Sequence, residues 1–451
     1  MLTRYFRSRR LALAILLLLV TAGRSGGQGL PAAPPESLGL SQERLDRLSK
    51  AMQGYIDAQR DAGIVTIVVR QGKVAQLAAY GKRDIEADAP MKTDTIFRIA
   101  SMSKAITSVG ILMLMEEGKL LLKDPVSKYI PSFKKTTVMV PPPAGAVPGS
   151  PVSVVPAKRE ITIHDLLTHT AGIGYGSGPA EELYKAAKVH GWYFADKAEP
   201  VATAIDRLTT LPFDAQPGER FVYGFNTDVL GVVVEKASGQ SLDAFFRTRI
   251  FEPLKMVDTH FFLAPAQRDR LAAVYSLAED GTLARAPDPG TGQGAYVDGP
   301  RMCFSGGAGL LSTASDYARL LQMMLNGGEL DGVRLLGPKT VELMTSNHAG
   351  TLFNEGKTGF GLGFEIVDDV GKAGNYGSPG EFSWGGAYHT TYWVDPQEKI
   401  VAVLMTQLLP AAGSDLHERF RNLVYQAVIA PPGTAAAVTS AKPRRAAGGS
   451  Q

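Results

Sequence analysis

Apolar and polar residues follow each other along this chain in a way that predicts strands near both ends and helices between them. The spacing of Leu45, Leu48, Met52 and Ile56 is that of one helix face and predicts a helix over residues 42–59. Two apolar runs around the Gln-Gly pair at 71–72 predict a β-hairpin over 64–80. Further helices are predicted over 229–237, 242–251, 315–325 and 415–430, and further strands over 361–367, 387–394 and 400–405.

This order of elements predicts an α/β fold that contains a helical insertion. The sheet and its helices are expected from about 38–125 and 301–430, and the mostly helical stretch at about 126–300 is expected to lie between them. The junction of two such parts is a natural cleft. Prolines at 141–143, 148, 151 and 156 predict that residues 138–158 form an exposed excursion without regular structure. Composition predicts a linker at 28–37 and a disordered tail at 431–451.

The first 27 residues have the composition of a signal peptide. Arg4, Arg7, Arg9 and Arg10 precede an apolar run at 11–20, and small residues follow it. That run is shorter than the ~20 residues that a membrane-spanning helix needs. The sequence therefore predicts export, to the periplasm or the medium. An uncleaved inner-membrane anchor is the alternative, and it would be the chain's only contact with a membrane.

Composition excludes several classes of protein. The chain has 451 residues, of which 45% are hydrophobic, so it can bury a large core and is not wholly disordered. Its net charge is +3 and no basic stripe is apparent, which argues against binding of nucleic acid. The only cysteine is Cys303, so no intrachain disulfide is possible. The seven histidines lack zinc-binding spacing. We therefore expect no metal and no cofactor, and a small molecule as the binding partner.

Ser101 and Lys104 begin the most apolar helix of the chain, which is predicted to run to about residue 122. Residues three apart lie on one face of a helix. A lysine among apolar neighbours can lose its proton near neutral pH and activate a serine, and a helix N-terminus suits an anionic intermediate. The residues alone leave two interpretations open, a catalytic pair or an ordinary buried helix start.

The same Ser-x-x-Lys pattern occurs a second time, at Ser132 and Lys135. This copy directly follows Pro131 in a polar segment, and no apolar helix follows it to desolvate the lysine. We interpret it as a solvated loop. A tyrosine near Lys104 would help to transfer the serine proton, and Tyr223, which precedes an apolar helix, is the candidate. Taken alone, Tyr223 is better interpreted as a buried core residue.

Several short stretches of the chain resemble the class C β-lactamase-like serine hydrolases, and most of all the family VIII carboxylesterases. They occur in the order expected of that family and cover about residues 40–430. The matching stretches are 101–104, 166–172, Tyr223 with 228–231, 307–313, 361–364 and 384–386. The resemblance implies a β-lactamase/transpeptidase-like fold, an antiparallel sheet flanked by helices with an inserted, mostly helical subdomain.

The resemblance also implies roles for individual residues. Ser101 would be the acylated nucleophile, Lys104 its activating partner and Tyr223 the proton shuttle. Phe225 would stand where the lactamases have an asparagine that helps to hold the lactam side chain, so its presence puts turnover of β-lactams in doubt. The backbone N–H groups of Ser101 and Ala387 would form the oxyanion hole.

The third motif of this superfamily is Lys-Thr-Gly in the lactamases and commonly Trp-Gly-Gly in the esterases, and this chain contains both strings. We assign the motif to Trp384, Gly385 and Gly386, because they directly precede the hairpin predicted to hold the active-site edge strand. The string at 357–359 is then a loop coincidence. Trp384 would offer an apolar wall in place of a charge, which favours neutral esters. His389, two positions after Ala387, is a candidate to line the pocket.

These expectations combine into an exported serine hydrolase that cleaves small to medium carboxylic esters through an acyl-enzyme on Ser101. Two alternatives remain. One is a β-lactamase or D-amino-acid peptidase acting on cell-wall amides. The other is a penicillin-binding-like protein that is acylated but does not turn over.

Overall fold

The computed structural model describes residues 29–140, 153–288 and 290–433. The predicted signal peptide, residues 141–152 of the proline-rich excursion, and the predicted tail from residue 434 onward lie outside the described residues. Within the described ranges, no helix is both long and apolar enough to cross a membrane.

The described chain contains both long and very short helices and strands. The α-helices are α1 (Gln42–Asp57), α2 (Ser103–Glu116), α3 (Ile163–Leu167), α4 (Glu181–Ala186), α5 (Val201–Leu208), α6 (Asn226–Ser238), α7 (Leu242–Phe246), α8 (Glu252–Leu254), α9 (Ala314–Leu325), α10 (Pro338–Met344), α11 (Val370–Ala373) and α12 (Leu416–Tyr425). The strands are β1 (Gly63–Arg70), β2 (Lys73–Asp84), β3 (Ala89–Pro90), β4 (Phe97–Arg98), β5 (Thr137–Val140), β6 (Ser153–Pro156), β7 (Pro212–Phe213), β8 (Tyr275–Leu277), β9 (Leu283–Arg285), β10 (Leu311–Ser312), β11 (Glu329–Leu330), β12 (Val333–Arg334), β13 (Gly359–Phe360), β14 (Glu365–Ile366), β15 (Phe382–Gly386), β16 (Thr390–Asp395), β17 (Ile400–Met405) and β18 (Leu408–Ala411).

One large antiparallel sheet organises the molecule. Its eight strands run in the order β13-β14-β15-β16-β17-β1-β2-β3, so strands from both ends of the chain meet where β17 pairs with β1. Helices α3 to α8 come from the residues between the two groups of strands. The first and last parts of the chain therefore build the sheet together.

Both faces of the sheet are buried, because each face packs against helices. Successive side chains of a strand point to opposite faces and so enter different cores. Val65 and Ile67 alternate with Ile64 and Val68 on β1. The first two belong to a core shared with α2 and α9, and the other two pack in a core with α1 and α12. Full burial of side chains of this size stabilises the fold by roughly 1.5–3 kcal/mol each.

Several sequence predictions about element bounds are wrong. Helix α2 ends at Glu116 and not near residue 122, and in place of one strand over 361–367 the short strands β13 and β14 pair with each other. Residues 138–158 were expected to lack regular structure, yet β5 pairs with β6 along its whole length. Proline is tolerated there because β6 lies at the edge of a three-stranded sheet and Pro156 ends the strand. The final helix was expected to reach residue 430, but α12 ends at Tyr425. The following residues hydrogen-bond to the segment before α1, from Ile429 N–H to Gly39 C=O among others.

Three elements meet at the predicted cleft. The N-terminus of α2 follows a 3₁₀ turn over Ala100–Met102, the N-terminus of α6 follows Tyr223, and β15 runs beside the 3₁₀ turn. Helices α2 and α6 pack directly against each other. This packing fixes the beginnings of both helices relative to the sheet.

Candidate active site

Ser101 and Lys104 lie together at the start of α2. The Nζ atom of Lys104 is 3.2 Å from the Oγ atom of Ser101, and the lysine side chain is only 2% exposed. The residue before the serine, Ala100, has a φ of +38°, in the left-handed region that a residue with a Cβ seldom adopts. Such backbone strain persists only where the surrounding structure holds it, and it is common at functional sites.

Lys104 is surrounded by hydrogen-bond acceptors. Its Nζ donates to Ser101 Oγ, to Tyr175 Oη at 3.1 Å and to the carbonyl oxygen of Gly307 at 2.8 Å, which matches the three N–H donors of an ammonium group. Burial alone lowers the pKa of Lys104, but Tyr175, Tyr223 and Asp228 outweigh it, and the pKa is raised above the ordinary value. The three acceptors favour the ammonium form of Lys104, against the expectation that it loses its proton near neutral pH; the sequence does not show these partners.

Tyr223 lies against the lysine and against Trp384. Lys104 Nζ is 4.6 Å from the centre of the Tyr223 ring. Trp384 Nε1 donates a hydrogen bond of 3.0 Å to Tyr223 Oη. Behind it, the buried His169 packs against the Tyr223 ring at 4.7 Å between ring centres. His169 is held in turn by Asn226, whose Nδ2 lies 2.9 Å from His169 Nδ1. The structure thus brings Ser101, Lys104, Tyr223 and Trp384 together.

Sequence reasoning missed a second tyrosine. Tyr175 Oη accepts the hydrogen bond from Lys104, and burial raises the pKa of this phenol above its ordinary range. The residue follows Gly172 and Gly174, in the turn directly after the stretch at 166–172 that resembles the family. An aromatic side chain directly after two closely spaced glycines was the available signal.

The Trp-Gly-Gly motif was expected directly before the edge strand. In the structure it lies on a strand itself, at the end of β15. Beyond β15, the two-residue strand β14 pairs only with Phe382 and Ser383. In the described part of the chain, no strand pairs with that side of Trp384–Gly386. A Cβ on Gly386 would lie 2.4 Å from the carbonyl oxygen of Ile99, so glycine is needed for β15 to approach the turn that holds Ser101.

Ala387 follows β15 directly and lines the same cavity as Ser101. The N–H groups of Ser101 and Ala387 have no hydrogen-bond acceptor among the described residues. Two unpaired backbone donors beside a nucleophile are what an oxyanion hole requires. The predicted pair is thus available for that role.

A cavity of about 540 Å³ opens above Ser101. Its walls near the serine are aromatic and come from Tyr175, Trp192, Tyr223 and Trp384. Trp192 lies in the part between the two groups of strands and was not predicted as a site residue. A cavity of this size and lining suits a small organic ligand.

Two predicted substrate-binding residues do not line this cavity. Phe225 is 1% exposed and packs behind Tyr175, with 5.0 Å between the ring centres, so it supports the site from the core. His389 stacks on His417 at 3.9 Å between ring centres, and its Nε2 lies 3.1 Å from Ser414 Oγ. Burial lowers the pKa of His389 to about 3. His417, not His389, reaches the cavity surface.

No residue of the competing Lys-Thr-Gly string lines the cavity, although Thr358 contacts Glu365, which does. The Lys357 side chain is 60% exposed and its nearest acidic partner is Glu355 at 3.5 Å. Thr358 Oγ1 donates to Glu365 at 2.7 Å. Within the described ranges, no group of three or more His, Cys, Asp or Glu side chains could hold a metal ion.

Comparison with known proteins shows which family the chain belongs to. The model of the Beta-lactamase family matches residues 48–426. The chain belongs to the Beta-lactamase family.

Relatives of this Beta-lactamase family member include esterases. Esterase EstB from Burkholderia gladioli is 31% identical over 382 residues, which cover 80% of this chain and 89% of EstB. An uncharacterised protein from Mycobacterium tuberculosis is 36% identical over 387 residues, covering 82% and 92% of the two chains. The structure of EstCE1, described as a hydrolase with promiscuous acyltransferase activity, superposes with a TM-score of 0.71 at 29% identity and covers 85% of this chain and 99% of EstCE1.

These similarities confirm the predicted fold class and the predicted family resemblance. The protein is a serine hydrolase of the β-lactamase fold. Relatives also include a putative D-alanyl-D-alanine carboxypeptidase from Escherichia coli, 28% identical over 426 residues, covering 88% of this chain and 90% of the relative. Because relatives include both an esterase and a putative carboxypeptidase, family membership does not identify the substrate class. That class has to be inferred from the geometry of the site.

Proposed function

We propose that this protein hydrolyses small to medium neutral carboxylic esters through an acyl-enzyme on Ser101. The observation that carries the proposal is the hydrogen bond from Trp384 Nε1 to Tyr223 Oη, within an aromatic wall beside the nucleophile. In the resemblance, the lactamases place a lysine where this chain has Trp384. An indole in that place supplies an apolar contact and no positive charge for a carboxylate.

The cavity lining includes the acidic Glu365 and Glu418 and the basic Arg421, so an anionic substrate has little to attract it. Arg421 lines the far side, but its guanidinium lies 2.6 Å from Glu381 and over the ring of Trp393. Lys104 is occupied by its three acceptors. A substrate carboxylate would therefore compete with existing partners, whereas an ester with an apolar acyl group would contact the aromatic walls.

The proposed acylation uses these side chains in the following way. Ser101 Oγ attacks the ester carbonyl carbon while the hydroxyl proton passes to Tyr223 Oη, and the phenol gives its own proton to the departing alkoxide. The Lys104 ammonium donates to Ser101 Oγ and stabilises the negative charge that forms there as the proton leaves. Trp384 Nε1 holds the Tyr223 oxygen through one lone pair, which leaves the other for the serine proton.

Deacylation reverses these roles. Water attacks the acyl carbon and gives its proton to Tyr223, and the phenol returns a proton to Ser101 Oγ as the acid is released. The N–H groups of Ser101 and Ala387 would hold the oxyanion in both steps. Tyr175, whose raised pKa keeps it a phenol, serves to fix Lys104 and is the weaker candidate for proton transfer.

The test is multiple-turnover hydrolysis of p-nitrophenyl butyrate beside nitrocefin and a D-Ala-D-Ala peptide, with wild type and Ser101→Ala. We expect many turnovers of the ester, little cleavage of the two amides, and no turnover by the variant. Faster turnover of nitrocefin or of the peptide would overturn the proposal and favour a β-lactamase or a D-amino-acid peptidase. A single burst of product without turnover would favour a penicillin-binding-like protein.

The proposed location of this activity is outside the cytoplasm. The support is the basic, apolar and small-residue order of residues 1–27, which lie outside the described residues. Fractionation of a bacterial host should find ester hydrolysis in the periplasm or medium with the full chain and in the cytoplasm when residues 1–27 are removed. Activity that stays with the inner membrane would favour the uncleaved anchor.

A further inference from the structure

Asp228 is a buried carboxylate close to the nucleophile that the mechanism above does not use. It lies in the first turn of α6 and is 1% exposed. No arginine, lysine or histidine forms an ion pair with it among the described residues. A buried carboxylate without an ion pair is costly, so its presence here calls for a physical reason.

The contacts of Asp228 lead to Lys104 in two steps. Its Oδ1 atom accepts hydrogen bonds from Ser305 Oγ at 2.5 Å and from the N–H of Gly307 at 3.1 Å. The carbonyl oxygen of the same Gly307 accepts the 2.8 Å hydrogen bond from Lys104 Nζ. Gly307 thus links the two groups: its N–H donates to the Asp228 carboxylate, and its carbonyl oxygen accepts from the Lys104 ammonium group.

The fit around Gly307 is close. A Cβ on this residue would lie 2.4 Å from Asp228 Oδ2, so only glycine allows the carboxylate to approach. The Oδ2 atom itself is buried and has no hydrogen-bond partner in the described structure. One carboxylate oxygen therefore fixes the turn at Ser305 and Gly307, and the other is left without a hydrogen-bond partner in the low-dielectric interior.

We propose that Asp228 is a positioning residue for Lys104, which fixes the Gly307 carbonyl and supplies the buried negative charge that holds the ammonium group in place beside Ser101. The inference rests on the proposed function for its kinetic readout. It concerns no contact with substrate.

Electrostatics agree with the geometry. Asp228 acts to raise the pKa of Lys104, and Lys104 acts to lower the pKa of Asp228, although burial leaves the pKa of this carboxyl raised overall. The other titratable groups that act on this pair are Tyr175, Tyr223 and His169 around Lys104 and Cys303 near Asp228. Burial raises the pKa of Tyr175 and of Cys303 and lowers the pKa of His169, which favours the uncharged form of each.

The test compares Asp228→Asn with wild type. The amide keeps an oxygen acceptor for Ser305 and Gly307 and removes the charge. We expect kcat for p-nitrophenyl butyrate to fall roughly 10–100-fold with KM changed less than about threefold, because the ammonium group loses a buried counter-charge that holds it in place. We also expect the alkaline limb of the kcat/KM profile to move to lower pH by about one unit, because Lys104 would lose its proton more readily.

Glu235→Gln is the matched control. This carboxylate is on the same helix, is partly buried and accepts a hydrogen bond from the N–H of Leu242 at 2.9 Å, but does not contact Gly307. It should leave kcat and the pH profile unchanged. A folded Asp228→Asn protein that keeps wild-type kcat would overturn the proposal. So would a loss of kcat with an unmoved pH profile, because that result would assign Asp228 a purely structural role.

A second variant covers the case in which Asp228→Asn does not fold. Ser305→Ala removes the 2.5 Å bond to Oδ1 and keeps the carboxylate, so a smaller loss of kcat and a smaller shift in the same direction are expected. Absence of both effects would then contradict the inference. If wild type turns over no ester, the proposed function fails separately. The pH dependence of Ser101 labelling by a sulfonyl fluoride would then replace kcat as the readout, with the same expected shift.

Discussion

Two segments of this protein carry the same Ser-x-x-Lys string in different surroundings. Ser101 begins its string in the 3₁₀ turn Ala100–Met102, and Ser132 begins the other in the 3₁₀ helix Pro131–Lys135. Both serines therefore lie in 3₁₀ turns, although only Ser101 follows a residue with a positive φ. Lys104 is buried with three acceptors, whereas Lys135 is exposed, and Ser132 Oγ donates to Asp206 at 3.0 Å on the surface.

The difference shows that the string supplies the functional groups and that burial gives them their chemistry. Lys104 is fixed because α2 and α6 pack around it and because Gly307 and Tyr175 present oxygens to it. A lysine in water has no such partners and behaves as an ordinary cation. Four comparisons between matched residues can break or sharpen this contrast.

The largest effect is expected for the two serines. Ser101→Ala should lower kcat/KM for p-nitrophenyl butyrate roughly 10⁴–10⁶-fold, as loss of a nucleophile does. Ser132→Ala should stay within about twofold of wild type, because surface substitutions away from a site change little. Equal losses in the two variants would mean that the catalytic serine is neither one alone.

The two tyrosines beside Lys104 come next. Tyr223→Phe should lower kcat roughly 10²–10⁴-fold, which is the usual contribution of general acid–base catalysis. Tyr175→Phe removes only one acceptor of Lys104 and should cost roughly tenfold. Steady-state kinetics of the two variants show which tyrosine transfers the proton. A larger loss of kcat in Tyr175→Phe than in Tyr223→Phe would assign that role to Tyr175.

A smaller effect is expected for the two candidates for the third motif. Trp384→Phe keeps the aromatic wall and removes the 3.0 Å hydrogen bond to Tyr223, so we expect kcat to fall roughly 5–30-fold. Lys357→Ala should change kcat less than about twofold, because this side chain is exposed outside the cavity. A large loss in the lysine variant would contradict the choice of Trp384–Gly386.

The smallest effects concern stability at the inner positions of the two strings. Ser103 Oγ accepts a 3.1 Å hydrogen bond from the N–H of Leu310 in the core, so Ser103→Ala should lower the free energy of unfolding by about 1–3 kcal/mol. Lys134 forms only an exposed ion pair with Glu160, so Lys134→Ala should cost less than about 1 kcal/mol. Urea denaturation measures both, and similar losses would mean that burial does not separate the strings.

Much of the fold can be predicted from the sequence, because long periodic segments carry their own signal. The hairpin over 64–80, the helix after Ser41 and the last two strands of the sheet were expected within a few residues of β1, β2, α1, β16 and β17. Bounds were wrong where partners distant in the sequence decide them. One example is the end of α12, where residues after Tyr425 bond to the segment around Gly39 instead of continuing the helix.

The sequence, read with its family resemblance, predicted Ser101, Lys104, Tyr223 and Trp384 as the residues of the site. Their order and spacing required no structure. Tertiary structure alone decided their state and their neighbours. In the folded chain, Tyr175 and Gly307 hydrogen-bond to Lys104, and Asp228 is linked to Lys104 through two hydrogen bonds at Gly307. Phe225 and His389, which were expected to bind substrate, do not line the cavity. The physical reason is that protonation and reactivity depend on burial and on acceptors within about 3 Å, which residues far apart in the sequence supply.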